Sequence, residues 1–128
     1  MMKSVFAFLL GVATLAASAW PSQNASAAAL YYDMGTVHVQ FHTEDCGLRT
    51  LAVTYQIEYA EENRTSFITS FKPKIESVLF TDLNEHLAET QNTRVRSIHK
   101  VMKRGVDSVL GEGVASDILI TSTSVLDR

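Results

Sequence analysis

From Thr50 to Tyr59 the chain alternates without a slip: Leu51, Val53, Tyr55, Ile57 and Tyr59 are apolar, and Thr50, Ala52, Thr54, Gln56 and Glu58 stand between them. Successive side chains of an extended backbone point to opposite faces. The pattern therefore predicts a strand with one buried and one polar face, and it obliges the rest of the chain to supply a cover. Val37, Val39 and Phe41 alternate with His38, Gln40 and His42, which predicts a second strand from about Gly35 to His42. Glu44-Asp45-Cys46-Gly47 lies between the two and has turn chemistry, so the pair reads as an antiparallel hairpin.

The period then changes. Phe67, Phe71, Ile75, Val78, Leu79 and Leu83 fall at helical spacing, with Asn63 or Thr65 as the expected N-cap. Pro73 lies inside this pattern and predicts a kink or a fresh start capped by Ser70. Val95, Ile98, Met102, Val106 and Val109 predict a second helix, capped by Asn92 or Thr93 and closed by a left-handed Gly111. A last strand is expected from Ser116 to Val125, rich in Ile, Leu, Thr and Val. The order is β-β-α-α-β. Three strands cannot close a barrel, so the expectation is an α+β fold: a mainly antiparallel three-stranded sheet, two helices on one face, and at least one free edge.

The N-terminus reads as an export segment. Lys3 precedes an apolar run from Val5 through Leu15 that continues, with small residues mixed in, to Trp20 before Pro21. Ala25-Ser26-Ala27 has the small-x-small pattern of a signal-peptidase site, so residues 1–27 are expected to be a signal peptide cleaved after Ala27, with Ala29 and Ala19 as alternatives. A short inner-membrane anchor is the rival reading, although a spanning helix needs about 20 predominantly apolar residues. Either way residues 28–128 are expected in the periplasm. Residues 28–34 would be a linker and entry to the first strand, and 35–128 the domain. The whole-chain formal charge is −3, and without Lys3 it is −4, so bulk charge gives no support for nucleic-acid binding. Cys46 is the only cysteine, which excludes an internal disulfide.

Three segments carry a family resemblance. Tyr31-Tyr32-Asp33-Met34-Gly35-Thr36-Val37 resembles the tyrosine-rich opening of the periplasmic domain of the flagellar basal body-associated FliL family. Lys72-Pro73-Lys74-Ile75-Glu76-Ser77-Val78-Leu79 resembles that family's helix with an internal proline. Val109-Leu110-Gly111-Glu112-Gly113, with Asp117-Ile118 and a Thr-rich final strand, is similar to its closing segment. The likeness implies a stomatin/prohibitin-type domain and a place beside the ion-driven stator of the flagellar motor, in a ring of copies. It implies stator or basal-body proteins as partners and no catalysis. A ring needs two unlike surfaces on one subunit, which a free sheet edge and an amphipathic helix would supply. The other reading is a periplasmic protein-binding module for a different envelope complex.

The residues expected to meet a partner are Tyr31, Tyr32, Arg94, Arg96, Lys100, Lys103 and Arg104. Tyrosine is favoured at interface hot spots. The basic residues cluster in the second helix, where they suit an acidic protein or, peripherally, the headgroups of the inner membrane. Glu61, Glu62, Glu76, Asp82, Glu85 and Glu89 precede them, so pairing within or between subunits is also open. His38, His42 and Cys46 invite a metal reading, but four residues of strand span about 13 Å, too far for two imidazoles to share one ion. No metal and no cofactor are expected. The chain has no Gly-rich phosphate loop and no nucleophile elbow, so no enzyme activity is expected either.

Overall fold

The computed structural model describes residues 28–45 and 47–127. Residues 1–27, where the export segment is expected, and Cys46 lie outside them. β1 (Leu30–His42) and β2 (Leu48–Tyr59) come first, then a 3-10 turn (Glu62–Arg64). Two helices, α1 (Thr65–Thr90) and α2 (Val95–Leu110), lead to β3 (Asp117–Asp127). The strands make one sheet in the order β1-β2-β3, antiparallel at both pairings. Both helices cover the same face. This is the β-β-α-α-β arrangement that the periodicities predict.

β2 lies in the centre, and its alternation is realised in full. Leu51, Val53, Tyr55, Ile57 and Tyr59 are 0–5% exposed, while Thr50, Ala52, Thr54, Gln56 and Glu58 face the other way and are half-buried. Burial pushes the Tyr55 phenol above its ordinary pKa, and the Glu76 carboxylate adds to the shift. Opposite this strand, Ile68, Ile75, Leu79, Leu83 and Leu87 of α1 and Ile98, Met102 and Val106 of α2 are fully buried. Each such side chain contributes about 1.5–3 kcal/mol through the water it sheds. The expected hairpin turn is present, with the Thr43 N–H donating to the Gly47 carbonyl at 2.9 Å.

β1 begins at Leu30, so most of the segment expected to be a linker, residues 28–34, is strand. Its pattern is hidden in the sequence by a β-bulge. The register slips between Asp33 and Gly35, so that Leu30 and Tyr32 face the core from even positions whereas Val37, Val39 and Phe41 do so from odd ones. Met34, the extra residue, is 3% exposed. Gly35 has φ +78°, a conformation other residues reach only at a cost, and its N–H donates to Asp33 Oδ1 at 3.0 Å. β3 slips in the same way opposite Thr54 and Tyr55, where Thr121 is the extra residue.

α1 runs unbroken through Pro73, against the expectation of a kink or a new start there. The proline deprives only the Thr69 carbonyl of its helical donor. Thr69 and Pro73 are exposed, so water can replace that bond, while Ile68 and Ile75 anchor both sides in the core. Ser70 caps nothing: its hydroxyl donates to the Phe67 carbonyl at 2.9 Å. Arg64 holds the N-cap position without a side-chain bond. Thr65 instead donates to the Glu62 carbonyl and accepts from the Tyr59 hydroxyl at 2.6 Å, tying the helix start to β2. Neither Asn92 nor Thr93 is the N-cap of α2: Arg94 holds that position without a side-chain bond. Asn92 instead braces the turn before it, its Oδ1 accepting the Arg94 N–H at 3.0 Å and its Nδ2 donating to Ser97 Oγ at 2.9 Å. Gly111 ends α2 at φ +94° and ψ 153°, positive in φ but extended rather than left-handed helical.

The two helices pack tightly at Gly105, which is buried. A Cβ there would stand 2.6 Å from Leu79 Cδ2 and 3.1 Å from Asp82 Oδ2. Leu79 has no exposed surface to move into. Gly105→Ala should therefore destabilise the fold by about 1–3 kcal/mol through overpacking, despite a gain in helix propensity of about 1 kcal/mol. Urea unfolding of the two proteins measures the difference, and an alanine variant as stable as the parent would show that the helices can part without cost.

Candidate functional site

α2 owes its form to a clean division of faces. Ile98, Val101, Met102, Gly105, Val106 and Leu110 are buried on one side. Arg96, Lys100 and Arg104 recur at four-residue steps on the other, and all three are exposed, as is Arg94 at the N-cap. Among the described residues none of these four lies within 4.0 Å of a carboxylate. They form the exposed positive strip that the sequence predicts.

Lys103 does not belong to it. Its Nζ donates to Asp107 Oδ2 at 2.7 Å, one turn along the same helix, and both side chains are mostly buried at 28% and 24% exposure. The i, i+4 spacing of Lys103 and Asp107 was available in the sequence as the signal for this pair. Beside it, His99 Nε2 meets Asp117 Oδ1 at 2.7 Å and so links α2 to the entry of β3. Burial raises the Asp117 carboxyl, but the Ile118 N–H, the His99 contact and the Lys103 charge outweigh it and hold the pKa below its ordinary value.

Next to the basic strip, α1 carries Asp82, Glu85, His86 and Glu89 along one wall of an open groove, with Val101, Arg104 and Ser108 on the other. His86 Nε2 lies 3.1 Å from the Asn92 carbonyl, which fastens the end of α1 to the turn between the helices.

The two tyrosines part company. Tyr32 lies opposite Ile57 and packs, half-buried, against the core from the helix-covered side. Tyr31 lies opposite Glu58 on the uncovered face and is 50% exposed. It is thus on the opposite side of the sheet from α2, and the fold does not bring it together with the basic strip. Sequence reasoning missed two exposed apolar residues on Tyr31's face: Leu119, opposite Gln56, and Leu126, opposite Thr50. Strict alternation through β3 would put Leu119 and Leu126, seven residues apart, on opposite faces, and the bulge at Thr121 brings them to the same one.

His38 and His42 are exposed on that same face, opposite Ala52 and Leu48, which are not metal ligands. Among the described residues no group of three or more His, Cys, Asp or Glu could hold a metal ion. None of the described helices is long and apolar enough to cross a membrane.

A depressed Asp117 pKa makes stability depend on acid. The folded state gains from this carboxylate above its unfolded pKa of about 3.9 and loses that gain as pH falls through the lower folded value. Asp117→Asn should therefore lower the melting temperature near neutral pH and bring the two proteins' melting curves together in strong acid. A constant gap between wild type and variant down to about pH 2 would remove the pair from the account. No protein-family model matches this chain, and no curated protein matches it at a significant level.

Proposed function

We propose that this chain is an exported, non-catalytic assembly protein of the flagellar basal body. In this reading it supports the stator of the motor from the periplasm as a ring of like subunits. What supports the reading is where the three FliL-like segments fall. Tyr31 to Val37 enters the first strand, Lys72 to Leu79 is the proline-bearing stretch of α1, and Val109 to Ile118 joins α2 to β3. Each sits in the element that the resemblance assigns to it, and the β-β-α-α-β order suits a stomatin/prohibitin-type domain.

The surfaces suit an assembly role better than a chemical one. β1 and β3 are both edge strands, and α2 turns a charged face to solvent. A stable contact buries about 800 Å² on each partner, so a ring needs two such areas on opposite sides of the subunit. Partners would be stator or basal-body proteins and other copies of the chain. The basic strip is suited to an acidic protein surface.

Two measurements test this. Mass spectrometry of the protein from a periplasmic extract should find a mature chain beginning at Ala28; recovery of the whole chain from the cell interior would overturn the export reading. Deleting the gene should weaken swimming in viscous medium while filaments still assemble. Undiminished swimming under load would sink the motor role and point instead to a binding module of another envelope complex.

A further inference from the structure

The acidic wall of α1 and the basic strip of α2 lie side by side without joining. Among the described residues no ion pair within 4.0 Å links the two helices. Glu85, Glu89, Arg96, Lys100 and Arg104 are all exposed, so both sets of charges are turned outward. A protein that used these charges only on itself would cross-link them over the groove. Here they are left for something else.

Their levels along the helices are fixed. Asp82 stands level with Gly105, because a Cβ on Gly105 would lie 3.1 Å from Asp82 Oδ2. At the other end the helices are joined by the short turn through Asn92, whose Nδ2 reaches Ser97 Oγ at 2.9 Å. Both helices rise about 1.5 Å per residue and run in opposite directions. Counting away from the Asp82–Gly105 level, Glu85 comes beside the gap between Lys100 and Arg104, and Glu89 beside the gap between Arg96 and Lys100.

We propose that this outward helical face binds a second copy of the chain, about a two-fold axis parallel to the helices. That operation lays α1 of each copy over α2 of the other and keeps every residue at its own level. Glu85 and Glu89 of one copy then fall on Lys100, Arg104 and Arg96 of the other, and the reverse holds across the axis, as an isologous contact requires. The complementarity follows from the antiparallel packing of the hairpin and needs no further adjustment. It also does not depend on a role in the motor.

The size of the face sets the strength. α2 has 16 residues and is about 24 Å long, and two helices side by side are about 20 Å wide. The footprint is therefore about 500 Å², short of the roughly 800 Å² of a standard stable interface. Because the contacts are mainly between exposed charges, the dimer should be weak and sensitive to salt. Anionic lipid is the competing occupant for the basic half of this face. It would leave the acidic half of the face facing a surface of its own sign.

The test is a charge exchange, made on protein purified from cells expressing the whole chain. One variant carries Arg96→Glu, Lys100→Glu and Arg104→Glu; the other carries Glu85→Lys and Glu89→Lys. Sedimentation at about 0.02 M salt should give a dimer for the parent that weakens at least about tenfold at about 0.5 M. Each variant alone should be monomeric, and an equal mixture should form a heterodimer, since both halves of the contact are then opposite in sign. Circular dichroism checks that each variant is folded. Should the multiple reversals not fold, the single reversals Lys100→Glu and Glu85→Lys make the same complementary pair with a smaller shift. A variant that still dimerises alone, or a mixture that stays monomeric, would overturn the proposal. So would a parent that is monomeric at low salt yet sediments with equimolar phosphatidylglycerol and phosphatidylcholine vesicles.

Discussion

One face of β2 must be kept from water, and the rest of the domain is arranged around that need. Leu51, Val53, Tyr55, Ile57 and Tyr59 present an unbroken apolar row along a twelve-residue strand. That row spans about 26 Å and is matched by the buried stripe of α1 from Ile68 to Leu87, about 29 Å long. The internal proline is tolerated because breaking α1 would uncover half of the row, whereas keeping it leaves one carbonyl to solvent. α2 is shorter and completes the cover. Its close approach at Gly105 lets the two helices act as a single layer.

The charges are sorted by the same constraint. Other charged groups are paired: Lys103 with Asp107, His99 with Asp117, and the half-buried Arg49 with the exposed Asp127 at 2.9 Å across β2 and β3. The helix surface away from the sheet keeps separate acidic and basic walls. The uncovered sheet face is different in character. At its middle, Thr36, Thr54 and Ser122 lie side by side across the three strands, and the Thr36 and Thr54 hydroxyls are 2.8 Å apart. The helical side of the domain is thus strongly charged, while the uncovered sheet face has hydroxyl groups at its middle, His38, His42 and Glu58 further out, and Tyr31, Leu119 and Leu126 toward its ends.

The strands and helices were legible in the sequence because burial is periodic, and periodicity needs no knowledge of the partner element. The failures came where a local cost was absorbed by tertiary structure. Pro73 reads as a break only if the loss of one backbone bond outweighs the burial of Ile68 and Ile75 on either side of it. Residues 28–34 read as a linker because Gly35 shifts the parity of the strand, so Leu30 and Tyr32 fall out of step with Val37 and Val39. At the site, Arg96, Lys100 and Arg104 could be found from composition and helical spacing. Tyr32 could not be placed, since the face of a residue ahead of a bulge is set by the register. Lys103 was grouped by charge with its neighbours, although Asp107 one turn further on was the better guide.

The bulges in β1 and β3 flank the same residue of the central strand, Tyr55. Coinciding at one latitude, they divide both outer rims of the sheet into two short, differently angled lengths. A stray extended peptide could match only one length before losing register, because an added strand would have to repeat the irregularity to continue. A small domain with two open rims would otherwise be a template for uncontrolled cross-β growth. The twin irregularities limit such accretion to the lengths on either side of Tyr55.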